Sequence, residues 1–270
     1  MALWLTLFLA LLLNGAAAYA AHRKDAVSAD GAVAGLLVGS ALFVGVGFLG
    51  WLLLMWFFAS SSAIGRLMTD TKRRAERIHE KGGRRDWFQV CANGGPAAVA
   101  ALCHGLTGSA IAFLATAVAI ASATADTWAS EVGALSSHRP RSIVTFQPLP
   151  TGTSGGITIL GTIAALGGSA SIALIFLLGA PESVTRSLAS SPVGSIWAAA
   201  LLVCVAGFFG SVVDSVLGAT VQAQYEDGSG LRTEKSHGNR LVRGARLVTN
   251  DVVNVVSGTL VTAASVVVLY

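Results

Sequence analysis

Residues 32–59 read AVAGLLVGSALFVGVGFLGWLLLMWFFA, and this stretch decides the fold class. It contains no acidic or basic side chain. A helix crossing the hydrocarbon core of a bilayer needs about 20 mostly apolar residues. The stretch therefore predicts a membrane span. Working outward, similar stretches recur at Ala2–Ala20, Phe88–Leu106, Ser109–Trp128, Gly155–Leu178, Val193–Gln222 and Leu247–Tyr270. The one at Phe88–Leu106 is the weakest, because Asn93, Gly94, Gly95, Pro96 and His104 interrupt it. The expected fold is all-α: a polytopic integral membrane protein of about seven transmembrane helices. The count falls to six if the first helix is cleaved or the third is re-entrant.

Composition supports the same class. The chain has 270 residues, 53% hydrophobic and 12% charged, with a mean hydropathy of +0.68. Average soluble domains carry about 25% charged residues. Disorder, a disulfide scaffold and an ordinary soluble enzyme are excluded. Residues 1–270 read as a single membrane domain, with 1–20 as a first helix. Ala18-Tyr19-Ala20 resembles a signal-peptidase site, but no Lys or Arg precedes the apolar run, which favours a retained helix. Cys91, Cys103 and Cys204 lack metal-ligand spacing and read as small buried hydrophobes.

The Lys and Arg residues set the expected orientation. The loop at 60–87 holds eight, Arg139 and Arg141 lie at 129–154, and five lie at 223–246. Only Arg23, Lys24 and Arg186 fall in the remaining loops of a seven-span chain. That count places the N-terminus and the basic loops together on the cytosolic side, and the C-terminus opposite. The basic loops read chiefly as topology signals and lipid-headgroup contacts. No nucleic-acid partner is expected.

Ionisable groups inside spans are costly and mark functional sites. Asp126, Glu131, Asp214 and Asp251 all lie in or at the ends of predicted spans, toward the basic face. Asp214 lies eight residues before Gln222, or roughly 12 Å along a helix at ~1.5 Å per residue. Glu131 follows Asp126 by five residues, about 140° around an ideal helix, and joins the same site only if the helix ends near Ser130. Asn254 shares a helix face with Asn250 and Asp251. Acids on three helices thus converge in one leaflet.

Six strings carry a resemblance: FFASSSAIGRL (57–67), EKGGRRDWFQVCANGG (80–95), ADTWASEVGAL (125–135), PTGTSGGITILG (150–161), GSVVDSVLGATVQ (210–222) and NDVVNVVSG (250–258). In order and spacing they resemble the transmembrane protein 19 family from about Gly31 onward, with a family-like core at 31–258. Ser154 stands where many relatives have Asn, and the first helix lies outside the best-matched region. The family includes chloroplast phytyl-phosphate kinase. The resemblance therefore implies a candidate activity: phosphoryl transfer from a nucleoside triphosphate to a membrane-borne isoprenyl monophosphate.

The residues suit that chemistry. Mg²⁺ prefers carboxylate oxygens, so Asp126, Asp214 and Asp251 are its candidate ligands and Glu131 a further one. Thr151, Gly152, Thr153, Ser154, Gly155 and Gly156 precede a helix and offer backbone N–H groups to phosphate. Lys81, Arg84 and Arg85 are candidate phosphate neutralisers. Asn93, Asn250 and Asn254 are candidates for orienting the reactants. Trp128, between Asp126 and Glu131, is a candidate wall of the site. No Walker A or protein-kinase signature is present. Two alternatives remain open: a transporter or channel, since intramembrane acids also line ion paths, and a non-catalytic membrane protein.

Overall fold

A computed structural model describes residues 3–67, 84–228 and 232–268. Among the described residues there are eight helices: α1 (Leu3–Arg23), α2 (Ala29–Leu67), α3 (Trp87–Thr107), α4 (Ala110–Gly133), α5 (Ile159–Gly179), α6 (Glu182–Ala189), α7 (Ile196–Thr220) and α8 (Asn250–Val267). Six of them, α1, α2, α4, α5, α7 and α8, are long and apolar enough to cross a membrane. Sheet is minor. β1 (Arg141–Ser142) pairs antiparallel with β2 (Gly156–Ile157). The strands β3 (Gln224–Glu226), β4 (Arg232–Thr233) and β5 (Arg240–Arg243) form a small sheet in the order β4-β3-β5.

The helix α2 differs from the single span expected at 32–59. It runs for 39 residues, about 58 Å if straight at ~1.5 Å per residue, far beyond a bilayer core of about 30 Å. Gly47 breaks it with φ 73° and ψ −157°, a backbone conformation that glycine adopts without steric penalty. The chain reverses there. Gly50 packs back onto Val46 and Leu42, where a Cβ would overlap Val46. At the other end, Arg66 Nη2 donates to the Lys24 carbonyl at 3.0 Å, so the two ends of α2 meet. The apolar run is a helical hairpin, with each limb close to a bilayer core in length.

This reversal changes which helix ends meet. The ends of α1 and α2 and the start of α3 now share one end of the bundle. There Ser28 N donates to the Arg85 carbonyl at 3.0 Å, and Arg84 pairs with Asp25 at 2.5 Å. Arg23 and Lys24 join the basic end, leaving Arg186 as the one basic residue in the opposite connections. The α1 helix starts at the end away from the basic loops, not beside them as expected. The bias of basic residues is thereby sharper than the seven-span reading allowed. The helix α1 itself docks through Asn14, which is buried, donates to the Ala10 carbonyl at 2.8 Å and lies against Gly39 of α2.

The stretch expected to be broken, α3, is one continuous helix despite Pro96. Asp86 caps it by accepting from Gln89 N at 2.9 Å, and Gly108 closes it in the left-handed region. The central helix is α4. The helices α2, α3, α5, α7 and α8 all pack on it, and it is buried nearly continuously from Ala110 to Ala125. Around it the outer surfaces are apolar, with Phe8, Leu37, Phe48, Leu166, Leu201 and Leu260 exposed. An apolar exterior of this kind is what lipid contact requires.

Two predictions follow from the hairpin. In a background lacking Cys91, Cys103 and Cys204, single cysteines at positions 3 and 109 are labelled by a membrane-impermeant maleimide from one side, and cysteines at 139 and 237 from the other. Labelling of positions 3 and 139 from the same side contradicts the fold. Gly45 faces the Ala101 backbone so closely that a Cβ would overlap it. Gly45→Ala is expected to cost about 1–3 kcal/mol of stability, read as a lowered Tm in detergent. An unchanged Tm contradicts that packing.

Candidate functional site

The site begins with small residues. Gly207 and Gly210 of α7 lie against Ala121 and Ser122 of α4; a Cβ on Gly207 would come 2.5 Å from the Ala121 Cβ, and one on Gly210 would overlap Ser122. Small residues allow such close backbone approach within a membrane. The two helices run in the same direction, so the next turn of each carries Asp126 and Asp214 to the same level. The two carboxylates lie close enough for their charges to repel. The Ser211 side chain lies beside Asp126 at the cavity wall. Ser257 Oγ of α8 donates to Asp214 Oδ2 at 2.9 Å. Among the described residues, neither carboxylate is paired with Lys or Arg. A buried and a half-buried acid without a countercharge are a costly arrangement in a bilayer.

Above the pair, toward the basic end, a cavity of about 580 Å³ opens. It is lined by Asp126, Glu131, Asp214, Asp251, Arg85, Asn93, Asn250, Asn254 and the whole Thr151–Gly156 loop. Residues separated by more than 160 positions in sequence therefore share one wall. Glu131 reaches the cavity although α4 continues to Gly133, because the cavity is wide enough to span both faces of that helix end. Asp251 is buried in the first turn of α8. Among the described residues, no three His, Cys, Asp or Glu side chains gather as a ligand set. The ligand-like core is Asp126 and Asp214 beside Asn254, whose Oδ1 is buried without a partner.

The Gly-rich loop docks on the end of α7. Gly155, at φ 78°, lies so close to Ala219 that only glycine fits. Ser154 Oγ donates to Glu234 Oε1 at 2.5 Å, and Gln222 Nε2 donates to Ser154 Oγ at 3.0 Å and to Glu234 Oε1 at 2.7 Å. Arg243 Nη2 donates to the Gly218 carbonyl at 2.8 Å. Burial and the nearby Arg232 charge pull the Arg243 guanidinium below its usual value. Among the loop's side chains, the Thr153 hydroxyl is buried and unpartnered. Gln222, Glu234 and Arg243 were not singled out from the sequence. They sit at a helix exit and in a loop whose only visible pattern was its positive charge.

The cations divide. Arg85 lines the cavity, stacks over Phe57 and Phe58 at 5.8 and 5.3 Å, and donates to Ser62 Oγ at 3.3 Å. Burial lowers its guanidinium's value, and the Glu131 charge works against that. Arg84 is engaged by Asp25 and is not in the lining. Lys81 lies outside the described residues. Asn93 donates to the Gln89 carbonyl of its own helix at 2.9 Å and still borders the cavity. Trp128 is not a wall of the site. Its Nε1 donates to Ser60 Oγ at 3.2 Å, which ties α4 to the returning limb of α2.

Comparison with known proteins places this arrangement. The chain is 35% identical over 230 residues to Protein PGR of Arabidopsis thaliana, covering 80% of this chain and 79% of that protein. It is 31% identical over 203 residues to Uncharacterized membrane protein MJ0933 of Methanocaldococcus jannaschii, covering 71% and 83%. It is 29% identical over 200 residues to Uncharacterized membrane protein sll0875 of Synechocystis, covering 70% and 69%. No solved structure matches. Residues 12–262, which include every cavity residue named above, match the family described as Integral membrane protein DUF92, and the chain belongs to that family, the transmembrane protein 19-like integral membrane proteins.

Proposed function

We propose that the chain is a phosphotransferase that moves a phosphoryl group from a nucleoside triphosphate to a membrane-borne isoprenyl monophosphate. One observation carries this reading. A carboxylate pair without countercharge, a Gly-rich loop with a free hydroxyl and a half-buried Arg face one cavity at the basic end of the bundle. The positive-inside bias would put that end in the cytosol or its equivalent.

The residues fit Mg²⁺, which binds through one or two carboxylates and takes its remaining ligands from phosphates and water. Asp126, Asp214 and the unpartnered Asn254 Oδ1 would hold it. When bound there, it would neutralise and align the donor phosphates. The Thr151–Gly156 loop would present backbone N–H groups and the Thr153 hydroxyl to the triphosphate. Arg85 would neutralise charge opposite the carboxylates. An oxygen of the lipid monophosphate, already deprotonated, forms the new bond to the γ-phosphorus. The bond from that phosphorus to the β,γ-bridging oxygen breaks, and its electron pair leaves with the nucleoside diphosphate. Such a transfer needs positioning and charge stabilisation more than covalent participation.

The apolar end of α4 favours this reading over a transporter. Phe113, Leu114, Val118 and Ile120 are fully packed beyond the acids. They leave the polar cavity serving one face.

The test is turnover. Purified protein with Mg²⁺, geranylgeranyl monophosphate and a nucleoside triphosphate is expected to form the diphosphate. Asp214→Asn is expected to lower turnover by about a hundredfold or more while elution and helical content stay as in the wild type. Full activity in that variant overturns the assigned role of Asp214.

A further inference from the structure

We infer that the cavity holds two separate phosphate subsites, and that the second, at Ser61, Ser62 and Arg85, receives the phosphate of the lipid acceptor. The inference rests on the phosphotransferase reading and extends it to which reactant sits where. Ser61 is 1% exposed, borders the cavity and has an Oγ without any hydrogen-bond partner. A buried hydroxyl left unpaired costs free energy unless something supplies its partner. Beside it, Ser62 Oγ is held by the Arg85 guanidinium. Arg85 has no carboxylate at ion-pair distance among the described residues. Its ring contacts and the Ser62 hydroxyl leave most of its fork of donors unused. An unpartnered hydroxyl and a guanidinium with donors to spare, both bordering one cavity, suit the oxygens of a phosphate monoester.

Position separates the two subsites. The Thr151–Gly156 loop is anchored from the aqueous side through Glu234 and Arg243, next to the β3–β5 sheet. That side suits a water-soluble nucleotide. The serines of the Ser61–Arg85 corner are carried by the returning limb of α2, an apolar membrane helix whose Phe57 and Phe58 underlie the guanidinium. That side suits a headgroup whose tail remains in the bilayer. Both subsites border the cavity that Asp126 and Asp214 line, as transfer between them requires.

The test is equilibrium binding to the full chain in detergent, using radiolabelled geranylgeranyl monophosphate and, separately, ATP and CTP with Mg²⁺. Arg85→Gln is expected to weaken lipid monophosphate binding about tenfold or more, and Ser61→Ala about threefold. Both are expected to leave nucleotide binding within about twofold, and Thr153→Ala to show the reverse pattern. Arg85→Lys keeps the charge and is expected to fall between wild type and Arg85→Gln. It and Ser61→Ala decide the matter if Arg85→Gln does not fold. Loss of nucleotide binding with intact lipid binding in the Arg85 and Ser61 variants overturns the inference. So does wild-type protein that binds no isoprenyl monophosphate. Arg85-dependent lipid binding without nucleotide binding or product formation upholds the subsite and overturns the phosphotransferase reading instead.

Discussion

The close approach of α4 and α7 is the constraint on which the site depends. Within a bilayer, packing of small residues, not expulsion of water, brings helices together. Gly207 and Gly210 let α7 come down onto Ala121 and Ser122. One turn further along, that contact sets Asp126 beside Asp214. A side chain at either glycine would part the helices and the carboxylates with them. Ser257 then supplies a hydrogen bond to Asp214 that lowers the cost of two acids at this depth. The bundle thus keeps an electrostatically unfavourable pair at fixed spacing, an arrangement retained by function more readily than by stability.

The two ends of the bundle have different jobs. Toward α6 the helices close over a dense core that includes Phe113, Leu114, Phe176 and Leu188. Toward the basic connections the same helices splay around a polar cavity. The short strands belong to this second end. The β1–β2 pair shapes the Gly-rich loop, and the β3–β5 sheet presents Arg243 to the carbonyl end of α7. Among the described residues, these strands hold that loop in place.

Much of this was legible in the sequence, because bilayer energetics leave few options. An apolar run must be a span, and an acid within one must have a reason. Asp126, Asp214, Asp251 and the TGTSGG loop could be placed on one face from the order of the spans and the bias of Lys and Arg. The reversal at Gly47 could not. The pattern shows apolar residues on both sides of it, and one helix break among many glycines carries no periodicity signal. Missing that turn put the start of α1 at the wrong end of the bundle. Gln222 and Glu234 were hidden for another reason. Their pairing with Ser154 is a contact between a helix exit and two loops, set by tertiary packing and not by local pattern. The role of Trp128 was misread because the side of a helix on which an indole turns depends on its partner, here Ser60.

The central claim is that Asp126 and Asp214 create a divalent-cation site completed by a triphosphate. Electron paramagnetic resonance of Mn²⁺ added to the purified protein tests this most directly, with and without a nucleoside triphosphate. The account predicts a protein-bound Mn²⁺ signal that strengthens sharply with the triphosphate and is lost in Asp126→Asn. Mn²⁺ binding that ignores the triphosphate, or that survives in Asp126→Asn, would contradict it.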